Sequence, residues 1–436
     1  MPGAFFDASS RMTEISAAAA LRTPHERVDI KRLVIFFALV YFAEGMSQSD
    51  GIIAQPLNYY LKQVYQWTPV QIAAFLTVLN LPWFIKPLYG IVSDFIPLFG
   101  YRRKTYLVAA NVVAAVGYLL ILYVSSPASL VFLLLLTAYG MAIASTLCGA
   151  LLVEKGQKFD SCNSFVNLQW LWFNVAAIFA SLAGGLLIEW LLPLSAVRGA
   201  AVLAGVTAML VIAGTFMLVD EEKSTMSLAG LKDSLHGLAS AFRDRRLWVI
   251  AFFLFFYFFS PGIDTPLYFY MTDSLKFSQQ FIGVLRSIQG VGWIAAALFY
   301  AMFLEHLSLR SLLYWSVAVG VVAPLAFVFM SGPATGVVAN FCYGVSEMMI
   351  TVASLGLAAN YCPKRAEGFT FAALMAITNF SGSLADNVGS FLFEHVFNNE
   401  LYPLILVAAA VTAVNFVLVP LLGLKDETAS QNSARV

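Results

Sequence analysis

PWFIKPLYGIVSDFIPLFGYRRK, the stretch Pro82–Lys104, carries one cation, Lys86, inside an otherwise apolar run and closes on three bases, Arg102, Arg103 and Lys104. Between them come Gly90 and Asp94, then two helix-breaking residues, Pro97 and Gly100. A lysine in hydrocarbon is costly, so Lys86 should face protein or water and have a use. Basic residues just beyond an apolar run mark the cytoplasmic side of a membrane. This stretch predicts a membrane span, its direction and a functional charge.

The rest of the composition agrees. Of 436 residues, 60% are hydrophobic and only 11% charged, against about 25% charged in soluble domains. The formal net charge is zero, which removes the electrostatic case for a nucleic-acid partner. Cys148, Cys162, Cys342 and Cys362 have no CxxC or zinc spacing, and His25, His236, His306 and His395 form no HExxH-type pair, so no metal site is expected. No Walker A motif, GxSxG or nucleophile–base pair is present, so no cofactor and no enzymatic activity are expected, and energy should come from a gradient. The N-terminal region lacks a signal-peptide apolar segment, and its acids argue against a transit peptide.

Runs long enough to cross about 30 Å of hydrocarbon fall near 33–60, 70–93, 105–124, 128–152, 164–190, 197–219, 247–272, 280–304, 310–330, 334–361, 368–394 and 403–423. The chain is thus an all-α membrane protein with twelve expected spans. It divides into a tail (1–32), a six-helix half (33–219), a polar linker (220–246), a second six-helix half (247–423) and a tail (424–436). Leu228, Leu231, Leu235, Leu238 and Phe242 recur at helical spacing in the linker, which suggests an amphipathic surface helix. An N-terminus placed inside puts 20 of the 25 Lys and Arg residues in tails and inward loops. Only Lys62, Arg198 and Lys276 then fall outside, and both termini are expected to be cytoplasmic.

A shift of 210 residues superposes QPLNYYL (Gln55–Leu61) on TPLYFYM (Thr265–Met271) and aligns Ile72 with Ile282 and Trp83 with Trp293. That register pairs the first span with the seventh and the second with the eighth, as two pseudo-symmetric halves require. The charges do not repeat: Lys86 falls opposite Ala296, Arg286 opposite Leu76 and Asp264 opposite Ala54.

Polar side chains line up on several spans: Glu44, Gln48, Gly51, Gln55 and Asn58; Asn163, Asn167, Trp170 and Asn174; Arg286, Gln289 and Trp293; Asn340, Tyr343, Glu347 and Thr351; Asn379, Ser383, Asp386 and Ser390. Such stripes either line a shared aqueous cavity or hydrogen-bond helix to helix. Asp50 lies off the first stripe, in a gating or interfacial position. Deep acids (Glu44, Asp264, Glu347, Asp386) outnumber deep bases (Lys86, Arg286). An acid without a partner takes up a proton, so one of them is a candidate proton carrier, and the bases are candidates for an anionic substrate. Structural ion pairing is the other reading of these charges.

Twelve spans, two halves and the loop after the second span resemble the major facilitator superfamily. In that superfamily's loop a glycine is followed by an aspartate, then by a glycine three residues on, then by paired bases. Here Gly90 and Asp94 fit, but Gly100 comes three residues late. LPWFIKPLYGIVSDFIPLFGYRRKTYL is similar to the signature of the folate–biopterin transporter family, close to LPWxIKPLxGxxSDxxPxxGYRRxxYL, and matches it without a gap from Leu81 to Leu107. Val153 and Glu154 match a second family segment, where Gly149 replaces an aspartate. The chain reads as a divergent member.

The resemblance implies a secondary active transporter in the cell membrane, a monomer, moving a folate- or pterin-like solute with protons by alternating access. The rivals are transport of another organic anion, of siderophore or muropeptide type, and a non-transporting membrane assembly factor. Glu44, Gln48, Lys86, Asp264, Arg286, Gln289, Glu347 and Asp386 are the expected substrate or proton residues. Asp50, Gly90, Asp94, Gly100, Arg102, Arg103 and Lys104 are the expected gating residues.

Overall fold

In a computed structural model, residues 24–124, 126–159, 161–224, 243–304, 307–361 and 367–424 are described. Among them the fold is all-helical, with one antiparallel backbone pair, Leu98 with Tyr101, and no strand. The first half comprises α1 (Pro24–Ser47), α2 (Ala54–Tyr65), α3 (Pro69–Phe84), α4 (Lys86–Phe95), α5 (Lys104–Ile121), α6 (Pro127–Lys158), α7 (Cys162–Trp190) and α8 (Pro193–Leu218). The second comprises α9 (Arg245–Phe258), α10 (Asp264–Phe269), α11 (Gln279–Phe299), α12 (Leu309–Val322), α13 (Pro333–Tyr361), α14 (Glu367–Phe391) and α15 (Leu401–Leu418).

Nine helical segments among the described residues are long and apolar enough to cross a membrane. Three expected spans fall outside that set, each for a visible reason. The expected spans 33–60 and 247–272 are not continuous helices: the chain leaves α1 after Ser47 and α9 after Phe258, and resumes at Ala54 and Asp264, which leaves α9 short and leaves α1 with Lys31, Arg32 and Glu44 in its apolar stretch. The polar face of Glu44–Asn58, read as one helical stripe, is therefore divided between α1 and α2. The third, α14, carries Asn379, Ser381, Ser383, Asp386, Asn387 and Ser390, which lower its hydropathy. The N-terminal boundary also moves, because α1 already begins at Pro24. The expected amphipathic linker helix lies outside the described residues, as do residues 1–23 and 425–436 of the two tails.

The 210-residue shift holds in the backbone. It carries the start of α2, Ala54, onto the start of α10, Asp264, and the start of α3, Pro69, onto the start of α11, Gln279. Both interruptions involve glycines in tight places. A Cβ on Gly51 would collide with the Met46 carbonyl oxygen, and one on Gly262 would lie 2.6 Å from Cα of Asp386. α3 and α4 form one apolar segment broken at Ile85. Pro82 inside α3 and Pro87 in the first turn of α4 account for the break, since proline removes a donor and crowds the preceding turn.

The buried side chains form three apolar clusters. One runs through both halves at the end that carries Lys62, from Ile52, Leu57 and Ile72 to Leu267, Phe393 and Leu404. At the opposite end, the Arg103 end, the core is split. Phe36, Phe37, Leu151 and Phe165 belong to the first half alone, and Phe253, Leu254, Leu357 and Leu374 to the second. The halves thus share one apolar core at the Lys62 end and have separate cores at the Arg103 end, with α4 still touching α14.

Close helix approaches hold each half together. Gly344 of α13 faces α11 so tightly that a Cβ would collide with the Gln289 carbonyl oxygen, whereas nothing lies within 4 Å of a Cβ at Gly90. Gly344→Ala is expected to destabilise the fold by about 1–3 kcal/mol, the usual cost of overpacking. Gly90→Ala is expected to leave the thermal midpoint in lipid nanodiscs close to wild type. Equal midpoints for the two variants would contradict this packing.

Candidate functional site

The proline break sets Lys86 on the first turn of α4, pointing toward α1 and α6. Its Nζ donates to Ser145 Oγ of α6 at 3.1 Å and lies 4.1 Å from the centre of the Trp83 ring. Ser145 Oγ donates in turn to Glu44 Oε1 of α1 at 2.6 Å. Ser145 was not singled out in the sequence, where a lone serine in an apolar helix carries no signal. It stands between the two charges. Glu44 is only 7% exposed, and its second oxygen, Oε2, is buried without a hydrogen-bond partner, as is Trp83 Nε1.

The remaining charges form a second group, built mainly on the second half. Arg286 of α11 faces Asp264 at 3.9 Å, with Asp50, Glu347 and Tyr343 also within electrostatic range. The side chains of Arg286 and Asp264 are each 45% exposed, although Thr265 and Leu285 beside them are buried. Glu347 Oε2 accepts from Gln289 Nε2 at 2.5 Å and from Trp293 Nε1 at 2.9 Å, so the α11 and α13 stripes meet. Asp386 of α14 accepts from the Thr265 hydroxyl at 2.8 Å and from its amide at 3.4 Å. It thereby caps the start of α10 across the interruption, a structural use of this acid. Asp50 is exposed and Gln48 half-buried in the α1–α2 interruption, where the Gln48 carbonyl accepts from the Gly51 amide at 2.8 Å.

The expected site residues thus gather as two groups, with Glu44 and Lys86 in one and Asp264 and Arg286 in the other. A crevice of about 390 Å³ between α9 and α15 is lined by Trp248, Phe252, Leu418 and Leu421 among others, and contains none of these acids. It is an apolar groove suited to lipid, remote from the polar chemistry.

Polar stripes on other helices are partly consumed by packing. Asn340 donates to the Gly336 carbonyl and Thr351 to the Glu347 carbonyl on their own helix, and Asn80 of α3 donates to Ser383 of α14. Asn387 Nδ2 donates to Thr77 Oγ1 at 2.6 Å, again linking α14 to α3.

At the Arg103 end, the loop between α4 and α5 is a built unit. The residues inserted before Gly100 make a tight turn: Leu98 and Tyr101 exchange backbone hydrogen bonds, and Phe99 and Gly100 both have positive φ, +53° and +86°. Two such residues in succession are the pattern of a type I′ turn, which explains the glycine. Arg103 is buried, donates to Ser93 at 2.5 Å and pairs with Asp94, with Glu154 at 4.0 Å. Glu221, just past α8, accepts from the backbone amides of Arg102, Arg103 and Lys104 at 2.7–3.2 Å. A carboxylate on the first amides of a helix satisfies orphan donors and complements the helix dipole. Lys104 Nζ donates to the Val219 carbonyl at 2.7 Å. Gly90, by contrast, lies in open space. Glu221 was missed because a capping partner 117 or more residues away leaves no local pattern.

At the Lys62 end the two halves are tied directly. Lys62 pairs with Asp273 at 2.6 Å, bonds Thr272 and lies 4.2 Å from the centre of the Phe269 ring. Gln55 Nε2 donates to the Gln279 carbonyl at 2.6 Å, and the Val70 amide donates to Glu394 at 3.1 Å. From sequence, Lys62 served only as an orientation charge. The repeat holds the missed clue, since the 210-residue shift sets it opposite Thr272.

Comparisons with known proteins bear on this geometry. The model of the BT1 family matches residues 47–430. A folate-biopterin transporter of Synechocystis sp. is 27% identical over 371 residues, covering 81% of this chain and 73% of that protein. A probable folate-biopterin transporter of Arabidopsis thaliana is 26% identical over 434 residues, covering 81% and 86%. Among solved structures, a nucleoside transporter superposes with a TM-score of 0.70 at 14% identity, covering 89% of this chain and 99% of that one. A D-xylose–proton symporter superposes with a TM-score of 0.68 at 13% identity, covering 90% and 98%. These last two likenesses concern the fold.

Glu221→Ala leaves three amides of α5 and its approach without their acceptor. It is expected to cost about 1–3 kcal/mol, read as a lower thermal midpoint, with Glu222→Ala, an exposed neighbour, close to wild type. A Glu221→Ala midpoint equal to wild type would contradict the capping role.

Proposed function

The chain belongs to the BT1 family and is a membrane transporter, and on that footing we propose that it moves a folate- or pterin-like solute together with protons. Twelve crossings, as two six-helix halves with both termini on the cytoplasmic side, rock about the solute to expose it to one face and then the other. The protein works as a monomer in the cell membrane. The observation that carries this reading is the divided core: the halves share apolar packing at the Lys62 end and have separate cores at the Arg103 end. With Lys62 on the outer side, that is the arrangement of a transporter closed to the outside and open inward.

The second charge group suits the solute. Asp264 and Arg286 are half-exposed and only loosely paired, so each can be taken over by a ligand. The amino group and ring N–H of a pterin match a carboxylate such as Asp264, and the Tyr343 side chain near Arg286 offers a face for its ring. Gln289 and Trp293 fix the Glu347 carboxylate and so set the far wall of the group. The Lys62–Asp273 pair, with Gln55–Gln279, forms the outer closure, and the Arg103 unit with Asp94, Gly100, Arg102 and Lys104 stiffens the inner end of the first half.

Uptake of radiolabelled folate and biopterin into proteoliposomes tests the reading. Wild type is expected to accumulate at least one of them under an inward proton gradient, and a response only to an unrelated solute would refute the assigned substrate class. Lys86→Ala is expected to lose at least tenfold of folate uptake at normal expression, and normal uptake would refute its role. A disulfide formed in Lys62→Cys/Asp273→Cys is expected to stop uptake until reductant is added. Unchanged uptake in the cross-linked protein would contradict opening at this end.

A further inference from the structure

Among the acids described inside the bundle, Glu44 is the one with a buried carboxylate oxygen that no donor reaches. Glu347 receives two N–H donors, Asp386 receives the hydroxyl and amide of Thr265, and Asp264 has Arg286 beside it. Asp50 is exposed. Glu44 is enclosed, with Ser145 on one oxygen and no donor on the other. Lys86 is in the mirror-image position. Its ammonium reaches Ser145 and the Trp83 ring, and the Trp83 N–H next to it is a buried donor with no acceptor. A buried carboxylate short of donors thus lies across one serine from a buried N–H with no acceptor and an ammonium with a single one. A polar group left unmatched away from water is expensive. Both shortfalls are met if a proton and an anion arrive together.

We propose that Glu44 holds the coupled proton and that Lys86, with Trp83, takes a carboxylate of the solute while Glu44 is neutral. The inference deepens the transport reading above and rests on it. The proton joins Glu44 Oε2, and the Lys86 ammonium loses its counter-charge. The solute carboxylate replaces that charge through N–H···O bonds from Lys86 and Trp83. The site is neutral before and after, so the anion enters without leaving an uncompensated buried charge. Release reverses both steps, and no bond other than O–H forms or breaks. The groups facing Glu44 are Lys86 from α4, Cys148 from α6 and Tyr41 from its own helix. α7 and α8 also pack on α1, but their charged residues, Glu189 and Arg198, lie toward the Lys62 end of the bundle. Against α1 they set Phe173, Ala176 and Thr207 instead. Proton coupling should therefore depend on a solute carboxylate, which folate has and biopterin lacks.

Infrared difference titration of the full chain in lipid nanodiscs reads carboxyl protonation with no solute present. Wild type is expected to show a protonated-carboxyl band that disappears as pH rises. Glu44→Gln should lack that band, and Glu347→Gln and Asp386→Asn should keep it. A band unchanged in Glu44→Gln overturns the assignment. In proteoliposomes, Glu44→Gln is expected to exchange folate at a rate that no longer varies with pH and to lose at least tenfold of gradient-driven accumulation. Wild-type accumulation in that variant overturns the proposal. Lys86→Gln is expected to reduce folate uptake at least tenfold more than biopterin uptake, and equal losses overturn its anion role. If wild type moves neither compound, the substrate class proposed above fails, and the infrared titration still decides the assignment of Glu44.

Discussion

A membrane helix that stops in mid-bilayer frees backbone groups that no water is present to satisfy, so protein must meet them. That constraint governs the contact between the α9–α10 interruption and α14. The Gly262 amide donates to the Ala385 carbonyl at 2.8 Å, and Asp386 takes the hydroxyl and amide of Thr265. Gly389 lies so close that a Cβ there would collide with the Gly262 oxygen. The interruption is thereby part of the packing, and α10 is aimed so that Asp264 reaches Arg286. The matching interruption between α1 and α2 gives the first half the same design, with Gly51 as its tight residue.

The placement of charge follows from the same economy. Polar groups that bind helix to helix, such as Asn80, Asn387 and Glu347, are answered by protein donors and acceptors. Two groups of charge are left open. One lies in the first half, where Ser145 separates Glu44 from Lys86. The other lies beside the α10–α11 junction, where Asp264 and Arg286 remain half-exposed. The lack of repetition of these charges between halves fits a solute with two unlike ends, a ring with hydrogen-bond donors and an anionic tail. The apolar core is shared between the halves at the Lys62 end and divided at the Arg103 end.

Much of this was legible in the sequence, and the residues show why some was not. Lys86 stood out as a cation in an apolar run, and the turn at Gly100 as the late glycine in an otherwise familiar loop, whereas the break at Ile85 came only with the structure. The 210-residue repeat paired the first span with the seventh and the second with the eighth, and the starts of α2 and α10 and of α3 and α11 follow the same shift. The interruptions were hidden because Glu44, Gln48, Gly51, Gln55 and Asn58 keep helical spacing across a region that is not helical. Local periodicity cannot register a tertiary contact such as Gly262 with α14. The stripes of α11 and α13 were visible separately, but not the pairing of Gln289 and Trp293 with Glu347. Glu221, Ser145 and Lys62 act on partners far away in the chain, and nothing beside them in sequence announces it.

If an anionic solute and a proton travel together through a bundle whose halves alternate, each solute that enters brings a proton with it. Proteoliposomes containing the wild-type chain and a trapped pH-sensitive dye, with no initial pH gradient, measure it directly when folate is added outside. The lumen is expected to acidify as folate enters, and to stay unchanged when a sugar of similar size is added. Folate entry with no change in lumenal pH would contradict that coupling.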